Sequence, residues 1–194
     1  MNSMYLFFDT ETTGLPKSRN APVSDLNNWP RLVQIAWLQC NQSGKEIVKQ
    51  SYIIKPDNFE IPQDVIKIHG ITNEKANKLG IPLQKALSEF STLLINSSLL
   101  IAHNIDFDEK VVGSELMRTK IKNNLSSITK VCTQKTTTDF CKIPCHYGYK
   151  WPSLMELHQK LFNNSFDKAH DALSDVSACA KCFFELKKRN IIKL

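Results

Sequence analysis

Two acids one residue apart, Asp9 and Glu11, close the apolar run Met4–Phe8 in the stretch MYLFFDTETTGLP. Side chains alternate across a strand with a period of two, so both carboxylates project from one face, a few ångströms apart. Like charges at that spacing repel. Carboxylates held together are the usual oxygen ligands of hard divalent cations, and a cation's charge removes the repulsion. Two further clusters carry related chemistry. LLIAHNIDFDEKVV, residues 99–112, holds Asp106, Asp108 and Glu109 where a short strand hands over to a helix. Acids in the first turn of a helix are also favoured by its macrodipole, with or without a metal. KAHDALSDVSACAKCF carries His170 five residues before Asp175, with Asp171 between them. On one continuous helix that spacing sets the pair about 140° apart. They converge only if His170 lies in a loop before the helix, with Asp171 near the cap and Asp175 a turn inside. The plainer alternatives are a solvated turn at Asp9 and Glu11 and a surface imidazole at His170.

The elements that must position these groups follow from periodicity. Met4–Phe8 reads as a buried strand, RLVQIAWLQC and EIVKQSYIIKP as two more joined by the turn NQSGK, together an antiparallel meander over residues 4–55. PQDVIKIHGITNEKANKLG reads as short helices around a turn, and the next stretch places Leu83, Leu87, Phe90 and Leu94 at helical spacing behind Pro82. SLLIAHN is a short buried strand, followed by a helix over about 107–122 and a fifth strand in SITKVCT, which makes a right-handed parallel crossover. SLMELHQKLF is amphipathic with Ser153 as its N-cap, and a last helix spans about 171–188. The expected fold class is α/β, a mixed five-stranded sheet with three antiparallel and then two parallel strands, flanked by helices. PKSRNAPVSDLNNWP, residues 16–30, reads as a loop of a length usually reserved for function or disorder.

A chain of 194 residues, 42% hydrophobic, fits one domain over 1–194. Its net charge of +6 suits a polyanionic partner. The excess concentrates in residues 109–150, where Lys110, Arg118, Lys120, Lys122, Lys130, Lys135, Lys142 and Lys150 face only Glu109, Glu115 and Asp139. The early apolar run is broken by Asp9 and Glu11, so no secretion signal is expected, and no segment is long enough to span a bilayer. Six cysteines then read as reduced thiols in a cytoplasmic setting. Cys141, Cys145 and His146 lack a second ligand pair at zinc-site spacing.

The three acidic blocks, in this order and in these settings, resemble the DnaQ-like (DEDDh) family of 3′–5′ exonucleases. FFDTETTGL is similar to the family's first block, HNIDFD to its Asn-x-x-Phe-Asp block, and HDALSD to its His followed five residues later by Asp. RLVQIA resembles its second strand and IHGIT the loop motif between the first two blocks, so the likeness runs from about residue 4 to 186.

The resemblance implies a ribonuclease H-like fold. Asp9, Glu11, Asp108 and Asp175 would hold two divalent cations, Mg²⁺ or Mn²⁺, the Asn-to-Asp spacing selecting Asp108 over Asp106. His170 would be the general base, and its unperturbed pKa near 6.5 suits proton removal around neutrality. Backbone groups from Thr10 to Leu15, Thr12 and Gly14 among them, would contact the terminal nucleotide, with Leu15 wedged against its base. His69, Asn104 and Phe107 would line the same pocket. Each has a plainer role available: Leu15 as a loop anchor, His69 as a turn residue, Phe107 with Val111 as core. The implied partner is nucleic acid with a free 3′ end, single-stranded DNA before RNA, and a DNA polymerase is a further candidate. The Thr after the first acid in DTETTG is closer to the epsilon and ribonuclease T branches than to oligoribonuclease. The alternatives are therefore an exoribonuclease of the ribonuclease T type and a non-catalytic nucleic-acid-binding module.

Overall fold

The computed structural model describes residues 3–166 and 171–194. At its centre lies β1 (Met4–Thr12), paired antiparallel with β2 (Leu32–Asn41) and parallel with β4 (Leu99–Ala102). β3 (Glu46–Ile53) and β5 (Thr129–Cys132) flank them, giving the sheet order β3-β2-β1-β4-β5. The expected antiparallel meander and parallel pair are both present. A central strand is covered on both faces, which is why Tyr5 through Phe8 form an unbroken apolar run. Leu6 and Phe8 face α3 (Leu83–Ile95) and α4 (Ile105–Thr119), meeting Phe90 and Val111. Tyr5 and Phe7 face the opposite layer and stack edge-on against Phe183.

Two short helices, α1 (Gln63–His69) and α2 (Asn73–Leu79), precede α3, with Gly70 at φ +70° between them as the left-handed C-cap of α1. After β5 come α5 (Thr133–Thr136), α6 (Thr138–Cys141) and a hairpin of β6 (Pro144–Cys145) and β7 (Gly148–Tyr149). Four-residue helices and two-residue strands are too short to show a period, so sequence patterning missed all four. The opposite layer is α7 (Leu154–Phe162) and α8 (Ala172–Lys188). Ser153 caps α7 as expected: its hydroxyl accepts from the Glu156 N–H, and Glu156 in turn accepts from the Ser153 N–H at 2.8 Å.

The long insertion is neither disordered nor a free loop: it is strapped to α4. Trp29 is buried and donates its indole N–H to the Pro22 carbonyl at 3.0 Å. Arg118 donates to the carbonyls of Leu26 and Trp29, and Lys110 donates to the Arg19 carbonyl while lying 5.2 Å above the Trp29 ring. Gly113 lets the strap approach, since a Cβ there would meet Val23 at 3.0 Å. Beneath it the buried Glu115 carboxylate accepts from Arg31 (2.8 Å) and the Leu32 N–H (3.1 Å) and pairs with Arg118 (3.2 Å). A carboxylate at 1% exposure is tolerable only with such partners. Among the described residues no helix is long and apolar enough to cross a membrane.

Candidate metal centre

Tyr5, Phe7, Asp9 and Glu11 share one side of β1 by alternation, and that side faces α8. The first two are buried under Phe183; the last two lie at the strand's end, where α8 begins. Asp171 is the N-cap of α8, its carboxylate accepting from the Ser174 N–H at 3.3 Å, and Asp175 lies in the helix's first turn. One oxygen each from Asp9, Glu11 and Asp175 falls within 4.8 Å of the others. The fourth acid arrives from α4. Asp108 is 4% exposed, and its Oδ1 accepts both the Thr10 N–H (3.1 Å) and the Thr10 hydroxyl (2.6 Å). Two donors fix one oxygen of the carboxylate and leave its partner oxygen for another ligand.

Electrostatics mark three of these groups, with Asp175 acting on them as a neighbouring charge. The Asp9 carboxyl is held well above the usual range, first by burial and then by the charges of Asp108, Asp175, Glu11 and Asp171. Burial and then Asp175, Asp108 and Asp171 push Glu11 up to about 8. Asp108 is pushed up to about 7, burial outweighing the Thr10 hydrogen bonds that stabilise its anion. Carboxylates crowded out of water at one strand end are a poor structural device. They are a fitting donor set for a hard divalent cation, all oxygen and all anionic.

The remaining expected residues divide. Asp106 is exposed and paired with Lys135, whereas Asp108 is buried, which favours Asp108 of the two acids in the second block. Thr12 is buried, its hydroxyl donating to the Gly14 carbonyl at 2.7 Å, beside a register shift between Glu11 and Thr12. Gly14 takes φ +143°, a backbone region that disfavours any side chain, and Leu15 beside it is 73% exposed. The turn thus presents Leu15 to solvent instead of anchoring it. His69 closes α1; its Nδ1 accepts from the Ile71 N–H, and its Nε2 edge is buried against the Thr12 backbone without a well-formed hydrogen bond. Asn104 sits at φ +68° as the N-cap of α4, and Phe107 packs half-buried against the core. His170 lies outside the described residues. Within the basic stretch 110–150, Arg118 turns inward, and Lys130, Lys135 and Lys150 pair with Glu109, Asp106 and Glu156.

Pattern reading missed the side-chain roles of three residues. Thr10 holds Asp108 across 98 residues of chain. Asp171, read only as a cap, adds its charge to the field on Asp9 and Glu11. Gln34, opposite Glu11 in the β1–β2 register, donates to Ser51 and to Asp171. A glutamine inside the apolar run LVQIAWLQC was the available signal. Thr10→Val keeps the shape and the backbone donor but removes the hydroxyl. The expected result is a loss of about 10–100-fold in Mn²⁺ affinity, as for other partners that orient a ligand, read by calorimetric titration.

The model of the exonuclease family matches residues 6–183. The chain is 34% identical to the DNA polymerase III subunit epsilon of Treponema pallidum over 110 residues, 56% of this chain and 44% of that one. It is 26% identical to the same subunit of Rickettsia conorii over 181 residues, 93% of this chain and 72% of that one. Among solved structures, E. coli exonuclease I in complex with a dT13 oligonucleotide is similar with a TM-score of 0.78 at 20% identity, covering 97% of this chain and 42% of that chain. Exonuclease I from Methylocaldum szegediense gives a TM-score of 0.74 at 20% identity, covering 96% and 41%. The structural likeness shows the fold, a ribonuclease H-like sheet with flanking helices. The chain spans less than half the length of the Treponema subunit and of both structures.

Proposed function

Because the chain belongs to the DnaQ-like exonuclease family, we propose that it removes nucleotides one at a time from the 3′ end of single-stranded DNA, releasing nucleoside 5′-monophosphates, in proofreading or repair. The observation that carries this reading is the convergence of Asp9, Glu11 and Asp175 with an Asp108 clamped by Thr10. These four would hold two divalent cations, Mg²⁺ or Mn²⁺. Such ions supply, when bound, a water acidic enough to attack phosphorus near neutral pH and positive charge beside the departing oxygen.

The chain's own residues do the rest. The backbone from Thr10 through the turn at Gly14 to Leu15 and the exposed Leu15 side chain hold the terminal nucleotide, with His69 beside Thr12 and with Asn104 and Phe107 at the start of α4. His170 takes the proton from the attacking water. Asp171, next to it in sequence, already contributes charge at the acids, which supports a general base delivered from this segment. His170→Ala should therefore slow cleavage by about 10²–10⁴-fold with Mn²⁺ affinity largely kept. A loss below about tenfold in single-turnover rate removes His170 from that role.

Single-stranded DNA as substrate is supported by the dT13 complex of a protein with this fold, and a polymerase partner by the curated relatives being polymerase subunits. A reducing, cytoplasmic setting fits six cysteines that are all free. The deciding experiment is a time course on 5′-labelled DNA and RNA of one sequence with Mg²⁺, with Mn²⁺ and with chelator. Metal-dependent shortening from the 3′ end, faster on DNA, is the expected result. Faster RNA shortening moves the chain to exoribonuclease chemistry, and binding without cleavage under every condition makes it a binding module.

A further inference from the structure

Between α6 and α7 the hairpin β6–β7 pairs Pro144 with Tyr149 and Cys145 with Gly148. Tyr147 at its tip is 94% exposed, Tyr149 is 46% and Trp151 just past it 54%, whereas the other tryptophans, Trp29 and Trp37, are buried. A two-stranded ribbon is marginally stable at best, and aromatic surface left in water adds nothing to it. Apart from an edge-on contact of Tyr147 with His146, ring centroids 4.8 Å apart, the hairpin's own packing does not account for these rings.

The hairpin's base is tied to the chain segment that leads into α4. The Lys150 N–H donates to the Ile143 carbonyl at 2.9 Å, and the Pro152 carbonyl accepts from Gln134 (3.3 Å) and pairs with His103 Nε2 (2.9 Å). Burial pulls the His103 pKa down to about 4, so the ring is neutral and carries one N–H. That proton must sit on Nε2 to meet a carbonyl, and Nδ1 then accepts from the Thr133 hydroxyl at 3.0 Å. His103 immediately precedes Asn104, the N-cap of the helix that carries Asp108. Trp151 lies 5.9 Å from the Lys135 ammonium, which pairs with Asp106 in that helix's first turn.

Charge on this segment has one sign. No acid occurs between Asp139 and Glu156, while Lys142 and Lys150 bracket the hairpin and Lys135 stands beside it. The Lys135 and Lys150 ion pairs are exposed, hence weak, and a phosphate can take the carboxylate's place. Aromatic faces interleaved with cations match single-stranded nucleic acid, whose bases stack and whose phosphates pair.

We propose that the β6–β7 hairpin is a docking platform for single-stranded nucleic acid: Tyr147, Tyr149 and Trp151 stack on bases, and Lys135, Lys142 and Lys150 meet phosphates. The direction of the strand, its 3′ end at the acids, rests on the exonuclease reading above; the platform itself does not. The test uses the full chain and fluorescein-labelled dT20 in chelator, where no cutting occurs. Anisotropy should show dT20 binding weakened by at least about tenfold for each ring removed in Tyr147→Ala and Trp151→Ala, the usual worth of one base–aromatic stack. A second readout needs no variant. Trp151 is the exposed tryptophan, so unlabelled dT20 should quench the wild-type tryptophan emission.

Unchanged affinity in both variants together with unquenched emission overturns the platform and leaves the rings as a surface for a protein partner. Absence of dT20 binding by the wild type at low salt overturns it as well. A wild type that binds and is quenched but never shortens a strand with Mg²⁺ or Mn²⁺ sinks the exonuclease reading and leaves the platform standing. Normal cutting with normal affinity in the variants sinks the platform alone.

Discussion

Asp108→Asn should cut the rate of strand shortening by at least about 10³-fold while leaving the fold intact, because several kcal/mol of charge stabilisation disappear with one ligand. An asparagine still accepts the Thr10 hydroxyl and N–H through its carbonyl oxygen, so the local geometry survives. The negative charge does not, and at 4% exposure no solvent replaces it. Removing one of several mutually repelling carboxylates also relieves Asp9 and Glu11. The metal-free variant should accordingly melt at or slightly above the wild-type temperature, a combination that distinguishes a lost ligand from a damaged fold. Asp106→Asn removes only an exposed pair with Lys135 and should retain activity within about twofold. The reverse pattern would transfer the ligand role to Asp106.

Stability in chelator should fall from pH 5.5 to pH 8, and a divalent cation should cancel the fall. Glu11 moves from an ordinary value of 4.5 to about 8 and Asp108 from 3.8 to about 7 on folding. Within those windows the folded chain keeps protons that the unfolded chain has released. Stability therefore declines as pH rises through them, and the decline is complete above the folded values. With 1.36 kcal/mol per pKa unit, and a shift shared among coupled groups, the change is on the order of a few kcal/mol. A bound cation favours the deprotonated carboxylates, so its stabilising effect grows with pH. Thermal melts across that range with EDTA and with Mn²⁺ check this. A flat EDTA profile, or cation stabilisation that shrinks with rising pH, would reject the cluster as a cation site.

How much of this was legible in the sequence depends on length scale. The strand at Met4–Phe8, the meander, the parallel pair and the caps at Ser153 and Asp171 follow from period and chemistry, because each spans enough residues to show a pattern. The grouping of Asp9, Glu11 and Asp175 was implied by the family resemblance, and the fold brings one oxygen of each within 4.8 Å of the others. Contacts between distant residues were not readable. The hydroxyl of Thr10 on Asp108, the Gln34–Asp171 bond and the strap on α4 join segments that no local period connects. The basic count over 109–150 did not reveal that Arg118 turns inward or that Lys130 pairs with Glu109, because composition does not show where a side chain points. Exposure, likewise invisible to pattern, separates Asp108 from Asp106 and lifts Tyr147 out of an unremarkable turn.

The wiring of the acids has a kinetic side. Asp9 and Glu11 come from β1, Asp108 from α4 and Asp175 from α8, and the Thr10–Asp108 bond alone closes 98 residues of chain. Non-local closures are the slow events of folding. No single hairpin or helix pair contains the set, and an intermediate with the β1–β2–β3 meander formed holds only two of the four acids. With these four acids as the proposed ligands, the chain would leave nucleic acid intact until the parallel pairing is made and α8 has docked. Divalent-ion uptake would then be a clock that rings at the end of folding, and its delay behind the formation of secondary structure would time that last assembly step.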